Sequence, residues 1–493
     1  MRLVLRNVRI AAVLVVVSAF LIGVGGAQAN VPLVRISSDP FTNATSQHAT
    51  EVEPDTFAYG STVVATFQVG RFFNGGATDI GVATSHDGGA SWTSGVLPGM
   101  TFSSGALSSP FERVSDPSVA YDAAHGVWLI SSIPLLPSTA VPTVFVNRSI
   151  DGGLTWSTPL SIPPPVTNSV DLDKNWTACD NNASSPFRGH CYTEFDNFGD
   201  GDRELMSTST DGGLTWGTPI ETAGHDKGLG GQPVVQPTGR VIVPFESLNG
   251  TISAFHSDDG GASWTKAVKV SGIRFHGVAG NLRTSPLPSA EIAGDGNVFV
   301  AWEDCRFHKG CTANDIVFSR SANGTSWSDP ARIPIDPVTS GADHFIPGLA
   351  VDPSTSGSGT HLALTYYFYP DATCASGCQL DVGYISSPDG GAHWGNPTQL
   401  AGPMTLNQIA QTSQGPMVGD YISTSFSGGL ATTVIAVGKL ATTAAFDEAM
   451  YAPTQRLPVA TAAQAINPST TTGVSAPITG EGTGETHRAL KND

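Results

Sequence analysis

Ser85-His86-Asp87-Gly88-Gly89-Ala90-Ser91-Trp92 reads as one tight hairpin turn. The aspartate accepts backbone N–H bonds inside the turn, the glycine pair supplies positive φ, and the indole is buried beside the next strand. The same signature returns at Ser149 to Trp156, Ser209 to Trp216, Ser257 to Trp264, in shortened form at Ser321 to Trp327, and at Ser387 to Trp394. Its key residues, Asp87, Asp151, Asp211, Asp259, Asn323 and Asp389, stand 48 to 66 residues apart, the period of one four-stranded propeller blade with its loops. Six copies of one site, five aspartates and an asparagine, cannot all be one catalytic centre, so the turns read as structural staples between the third and fourth strands of successive blades.

The segments between the turns agree with that reading. Ser61 to Gln68, Gly126 to Ser131, Arg240 to Phe245, Asn297 to Trp302 and His361 to Tyr367 are short β-branched or aromatic runs broken by Gly, Pro, Asn and Asp, with no long 3.6-period segment competing. The fold expected is all-β, a β-propeller. Beyond the sixth turn, Gly415 to Phe426, Ala431 to Leu440 and Glu448 to Ala452 supply about three more strands. Val31 to Ile36 then completes their blade as its outer strand, which ties the termini together and gives seven blades, with six as the alternative.

Residues 1–29 carry Arg2, Arg6 and Arg9, an apolar run from Ile10 to Val24, and Ala27-Gln28-Ala29, the pattern of a secretory signal with a small-residue cleavage site. A retained anchor is the other reading, but the run is short for a spanning helix. The propeller then occupies residues 30–452, and residues 453–493, rich in Ala, Thr, Pro, Gly and Ser, have the composition of a disordered tail. Removing the leader leaves 24 − 3 = 21 basic against 42 acidic side chains, a net charge of −21, which argues against nucleic acid or anionic membranes as partners. Cys179 with Cys191, Cys305 with Cys311 and Cys374 with Cys378 form three close pairs, read as loop-pinning disulfides of an exported chain, with zinc ligation as the alternative.

With these turns the chain resembles the Asp-box (BNR) repeat proteins, whose best-known enzymes are the sialidases. The resemblance implies that the boxes lie opposite a catalytic mouth, formed by the starts of the innermost strands and the loops between second and third strands. By repeat phase, the mouth receives Glu51, Glu53, Asp55, Arg113, Asp116, Asp173, Lys174, Gln232, Asp343, His344, Asp420 and Tyr421 from strand starts, and Arg71, Glu194, Asp196, Glu246, Glu303, Asp304, Arg306, Tyr367, Tyr369 and Asp371 from loops. Sialidase chemistry needs three arginines on a carboxylate, a tyrosine nucleophile with a glutamate partner, and an acid aspartate.

The amino-terminal family motif is represented by Val34-Arg35-Ile36-Ser37, which keeps Arg and Ile but not the aromatic or the proline. Val69-Gly70-Arg71 leading to Asp79-Ile80-Gly81 resembles the second arginine and its strand, but residues 72–78 hold no acid to donate a proton. The resemblance thus nominates Arg35, Arg71, Arg113 and Arg306 for substrate binding and Tyr367, Tyr421, Glu303 and Glu194 for catalysis. Arg274 and Arg283, like Arg113, could complete the arginine triad, but no motif names them.

Asp196, Asp200, Asp202 and Glu204 crowd one glycine-rich loop, a density of hard oxygens suited to a structural Ca²⁺ or to an ordinary acidic turn; no cofactor is required. The expected function is a secreted, sialidase-like propeller acting on or binding extracellular glycans, either as an exo-α-sialidase type of glycoside hydrolase or as a non-catalytic binding module. A neutral-sugar hydrolase using Glu194 and Glu303 is a third option.

Overall fold

A computed structural model describes residues 31–461 except 107 and 443; the expected signal over 1–29 and the expected tail beyond 461 lie outside the described residues. Each box forms the turn its sequence dictates. Asp87 accepts from the backbone of Ala90 and Ser91 at 3.0 and 2.8 Å and from the Ser91 hydroxyl at 2.6 Å. Gly88 and Gly89 sit at φ 73° and 99°. The Trp92 indole closes the loop on the Gly89 carbonyl at 3.0 Å. The hydrogen bonds from Ser91 pull the Asp87 carboxyl down to about 2, and those from Thr155 do the same to Asp151.

The strands group into antiparallel four-strand blades. Blade 1 runs Glu51–Tyr59, Thr62–Arg71, Ala77–Ser85 and Thr93–Val96, and blade 2 runs Arg113–Asp122, Val127–Leu135, Phe145–Ser149 and Leu160–Ser161; a single pairing, Ala77 with Val114, joins them. Blade 3 is Leu172–Cys179, Cys191–Asn197, Arg203–Ser209 and Ile220–Glu221. Blade 4 has a split inner strand, Gly228–Leu229 and Val234–Val235, followed by Val241–Ser247, Thr251–Ser257 and Val268–Gly272. Blade 5 comprises Ser289–Ile292, Val298–Asp304, Asp315–Ser321 and Ala331–Arg332, and blade 6 Asp343–Val351, Leu362–Tyr369, Gln379–Ser387 and Thr398–Thr405. A seventh sheet, Ser423–Ser427, Leu430–Gly438 and Glu448–Pro453, takes Leu33–Arg35 as its outer strand, with Val34 opposite Ala452. The two ends of the propeller are therefore stitched in one sheet, which removes the exposed edges an open array would carry.

Side chains from adjoining blades interleave to make the core. Trp394, fully buried, packs edge-on against Phe318 of the preceding blade with centroids 6.0 Å apart. Inner strands are also tied by polar side chains: Asp55 accepts from the Val119 backbone at 2.8 Å, Ser118 from Thr177 at 3.0 Å, and Ser289 from Leu349 at 3.0 Å. All three expected disulfides form.

Two segments differ from the reading by composition. The expected strand from Gly415 to Phe426 divides into a small hairpin, Ala410–Thr412 with Gly415–Met417, and the inner strand Ser423–Ser427, because Gly419 at φ 146° turns the chain between them. Residues 453–461 continue onto the propeller: Leu457 exchanges backbone bonds with Ala431, and Ala460 donates to Ser386 at 3.0 Å. Among the described residues no helix is long and apolar enough to cross a membrane.

Candidate functional site

The mouth is shaped by bulges near the starts of the inner strands. Pairing slips between Val52 and Asp55, Ser115 and Ser118, Asp173 and Trp176, and Phe345 and Gly348. At each slip one non-glycine residue is forced left-handed: Glu53 at φ 55°, Asp116 at 49°, Lys174 at 50° and Ile346 at 51°. Three of the four precede a proline, which has no N–H to leave unpaired where the ladder breaks. Such conformations cost about 1–3 kcal/mol each and persist where the surroundings enforce them, often at functional sites. Here the three charged residues converge.

The Lys174 ammonium lies 3.1 Å from Asp116, 3.8 Å from Glu53 and in hydrogen-bond contact with Asp420. Arg283, from the long connection between blades 4 and 5, grips the same Asp420 with both nitrogens, at 2.7 and 2.5 Å. The Gln68 amide donates to Glu53 and, at 3.0 Å, to Ser115, while Arg71 donates to the Gln68 oxygen at 3.2 Å and to the Gly76 carbonyl at 2.8 Å. The Tyr421 hydroxyl donates to Pro117 O at 3.1 Å, and its ring meets Trp176 edge-on at 5.1 Å.

Burial sets the protonation pattern of the cluster. Glu53 is pushed up to about 7, first by desolvation and then by Asp116. Asp420 goes the other way: burial opposes its charge, but Arg283 and Lys174 hold it far below the carboxylate range. Lys174 is raised because its three carboxylates outweigh desolvation. Arg71 is lowered to about 10 by burial and by Arg283. Three cations (Arg71, Lys174, Arg283) face three carboxylates (Glu53, Asp116, Asp420), so the cluster is neutral above the Glu53 titration and carries one positive charge below it.

Residues 61–289 match the family model described as the BNR repeat-like domain, in agreement with the six box turns. Over that span the chain is similar to the BNR repeat proteins. Among solved structures it is similar to Trypanosoma rangeli sialidase in complex with sialic acid, at 12% identity over 86% of this chain and 58% of that one, TM-score 0.46. It is also similar to a Dyadobacter fermentans protein of unknown function, at 17% identity over 73% and 99% of the two chains, TM-score 0.48, and to an ulvan lyase, at 11% identity over 85% and 95%, TM-score 0.49. No curated protein matches the sequence.

In this propeller the four nominated arginines fall into three separate surroundings. Arg35 lies on the outer strand of the seventh sheet, half-exposed, bonded to Asp447 at 3.0 Å. Arg71 and Arg113 both hold the loop 72–76, Arg113 through Asn74 and Gly75 with its guanidinium 4.5 Å above the Phe72 ring. Arg306 is held by Asp304 at 2.6 and 2.9 Å and by Ser271 at 3.1 Å.

Tyr367 is buried between blade 6 and the seventh sheet, its hydroxyl on the Ala436 carbonyl at 2.8 Å, and burial raises its pKa well above the usual phenol value. Tyr421, also raised well above that value by burial and then by Glu53, belongs to the mouth cluster. Glu303 accepts the backbone N–H of left-handed Ile346 at 2.9 Å, which pins that bulge. Glu194 is fully buried beside Glu204, and burial and the neighbouring carboxyl raise it.

The acidic loop divides. Asp196 and Glu204 are directly opposed across strands of blade 3 and buried, while Asp200 is half-buried, 3.7 Å from Arg203; Asp202 is the left-handed residue of the turn, at φ 58°. Gln68 and Ser115 are members of the mouth that sequence reasoning passed over. Glu53-Pro54, Asp116-Pro117 and Ile346-Pro347 are a repeated sequence signal that marks the bulges.

Proposed function

We propose that this protein is exported and recognises an extracellular glycan bearing carboxylate or sulfate groups at the propeller mouth, as a binding propeller and not as an exo-sialidase. The observation that carries the reading is the cluster of Glu53, Asp116, Lys174, Asp420 and Arg283 on strained, non-glycine backbone. With Arg71 counted, it is a neutral to singly positive patch on a chain of net charge −18. Trp176, half-buried at the same ring, and Phe73, 57% exposed on the loop that Arg71 and Arg113 hold, offer apolar faces of the kind sugar rings stack on.

Recognition is favoured over sialoside hydrolysis by how the cations are used. Arg283 is committed to Asp420, Arg306 to Asp304 and Arg35 to Asp447. Gripping a sialate carboxylate beside Tyr421 would require three guanidiniums aimed at one point. Three disulfides support the exported reading, since such bonds persist in oxidising compartments.

The test is an array of neutral, sialylated, uronate-bearing and sulfated oligosaccharides probed with the full chain and its Phe73→Ala variant, beside fluorogenic sialosides and neutral glycosides. Binding to acidic glycans, weakened by Phe73→Ala and without turnover, is the expected result. Sialoside cleavage abolished by Tyr421→Phe would replace recognition with the exo-sialidase reading.

A further inference from the structure

Away from the mouth cluster, the junction of blades 5 and 6 gathers histidines and aspartates that the function above does not use. Asp315 opens the third strand of blade 5, Asp336 follows its fourth, and His344 lies at the start of the inner strand of blade 6. One ligand atom from each lies within 4.8 Å of the others, the one such group of three or more His, Cys, Asp or Glu among the described residues. His308 lies beside Asp315 but outside that group of three. It sits in the loop closed by the Cys305–Cys311 disulfide, and its Nε2 is 3.1 Å from Asp315 Oδ2.

The hydrogen bonding of this group is incomplete in a specific way. His308 Nε2 and Asp315 Oδ2 are buried and face each other at 3.1 Å with no other hydrogen-bond partner, and the buried His344 Nδ1 has none. Arg332 meanwhile binds Asp315 Oδ1 at 2.6 Å and Asp336 Oδ1 at 2.7 Å. It thereby fixes both carboxylates while leaving the Asp315 Oδ2 and Asp336 Oδ2 lobes turned toward the histidines, the latter 3.8 Å from His344 Nε2. Ser340 donates to Asp336 Oδ2 at 2.5 Å.

We propose that His308, Asp315, Asp336 and His344 form a binding site for one divalent zinc ion. Two imidazoles and two carboxylates are a ligand set zinc accepts, whereas calcium takes oxygen ligands alone. Ligand atoms around a tetrahedral zinc stand about 3.3 Å apart, from metal–ligand bonds of about 2.0–2.1 Å. The His308–Asp315 separation, 3.1 Å, is close to that value, and His308 and the wider lobes of Asp336 and His344 close in on binding. Arg332 acts as the orienting partner that metal-binding carboxylates ordinarily have. With Arg332 counted, the two aspartates leave one negative charge uncompensated, which favours a cation. The site clamps the second-to-third-strand loop of blade 5 to the first strand of blade 6, and the Cys305–Cys311 disulfide holds His308 in place.

The experiment uses untagged full-length protein, stripped with chelator, re-equilibrated with Zn²⁺ and analysed for metal after gel filtration, with thermal unfolding in parallel. One zinc per chain and a higher Tm with Zn²⁺ than with chelator are expected. His308→Gln and Asp315→Asn lose the zinc, Arg332→Lys weakens binding by about 10–100-fold, and His225→Ala, at an exposed histidine, leaves it unchanged. A folded wild-type chain that takes up no zinc overturns the proposal, as does zinc retained at full stoichiometry by both ligand variants. Because the wild-type stoichiometry is itself decisive, a ligand variant that fails to fold does not remove the test.

Discussion

Replacing Lys174 by methionine keeps the length of the side chain and removes its charge. In the native mouth the ammonium serves Asp116, Glu53 and Asp420 at once, all with side chains 5% exposed or less. Without it, three carboxylates share Arg283 and Arg71, and Arg71 does not touch Asp116 or Asp420 in any bond seen here. Removing one partner from a buried ionic group costs about 3–5 kcal/mol, because the remaining charges stay desolvated. With about 430 ordered residues at about 2.1 cal/mol/K each, the entropy of unfolding is about 0.9 kcal/mol/K, so the expected fall in Tm is about 3–6 °C. Adding Glu53→Gln removes one of the mutually repelling acids and restores part of the loss. Scanning calorimetry of the wild type, the single variants and the double variant measures both effects. A Lys174→Met protein as stable as the wild type, or more so, would refute the view that these charges sustain one another.

Trp394→Ala empties a fully buried indole site between blades 5 and 6 and should cost about 3–5 kcal/mol. Asp151→Ala removes bonds to the Thr155 amide and hydroxyl at an exposed turn and should cost only about 1–2 kcal/mol; equal losses in the two variants would contradict the division between core and staple. Stability should also depend on pH with a definite sign. Burial raises Glu51, Glu53 and Asp55 to about 7 and Glu246 to about 8, so their contribution is present below the unfolded carboxylate values and is lost as pH rises through 7 to 8. Asp87 and Asp151, held at about 2, act oppositely and lose theirs as pH falls toward 2. Tm measured by fluorimetry should be higher at pH 5 than at pH 8 and fall again below pH 3; a Tm that climbs from pH 5 to 8 would count against the buried acids.

The box turns were legible because every bond that makes them lies within eight consecutive residues, as from Ser85 to Trp92. Their spacing then sets the phase of the repeat, and phase alone brought Glu53, Asp116, Lys174 and Asp420 to the mouth. What phase cannot give is which face a side chain takes once a strand bulges. Tyr367 and Tyr421 both read as mouth tyrosines, yet Tyr367 turns into the core between blades and reaches Ala436, 69 residues away. Arg283 lies outside any repeat, on a connection whose path over the mouth depends on packing against the hairpin Ala410 to Met417, where its backbone meets Pro416 O. Its partner Asp420 is 137 residues distant. The blade 5–6 histidines were hidden for the same reason: His308, Asp315, Asp336 and His344 come from four segments and share no local spacing.

A crystal of the full chain soaked with the best-binding acidic oligosaccharide locates the ligand. The account predicts sugar density in the mouth, against Phe73 or Trp176, with the anionic group turned toward the cluster of Arg71, Lys174 and Arg283. Density on the face of the box turns, or along the outer strands with the mouth unchanged, would contradict it.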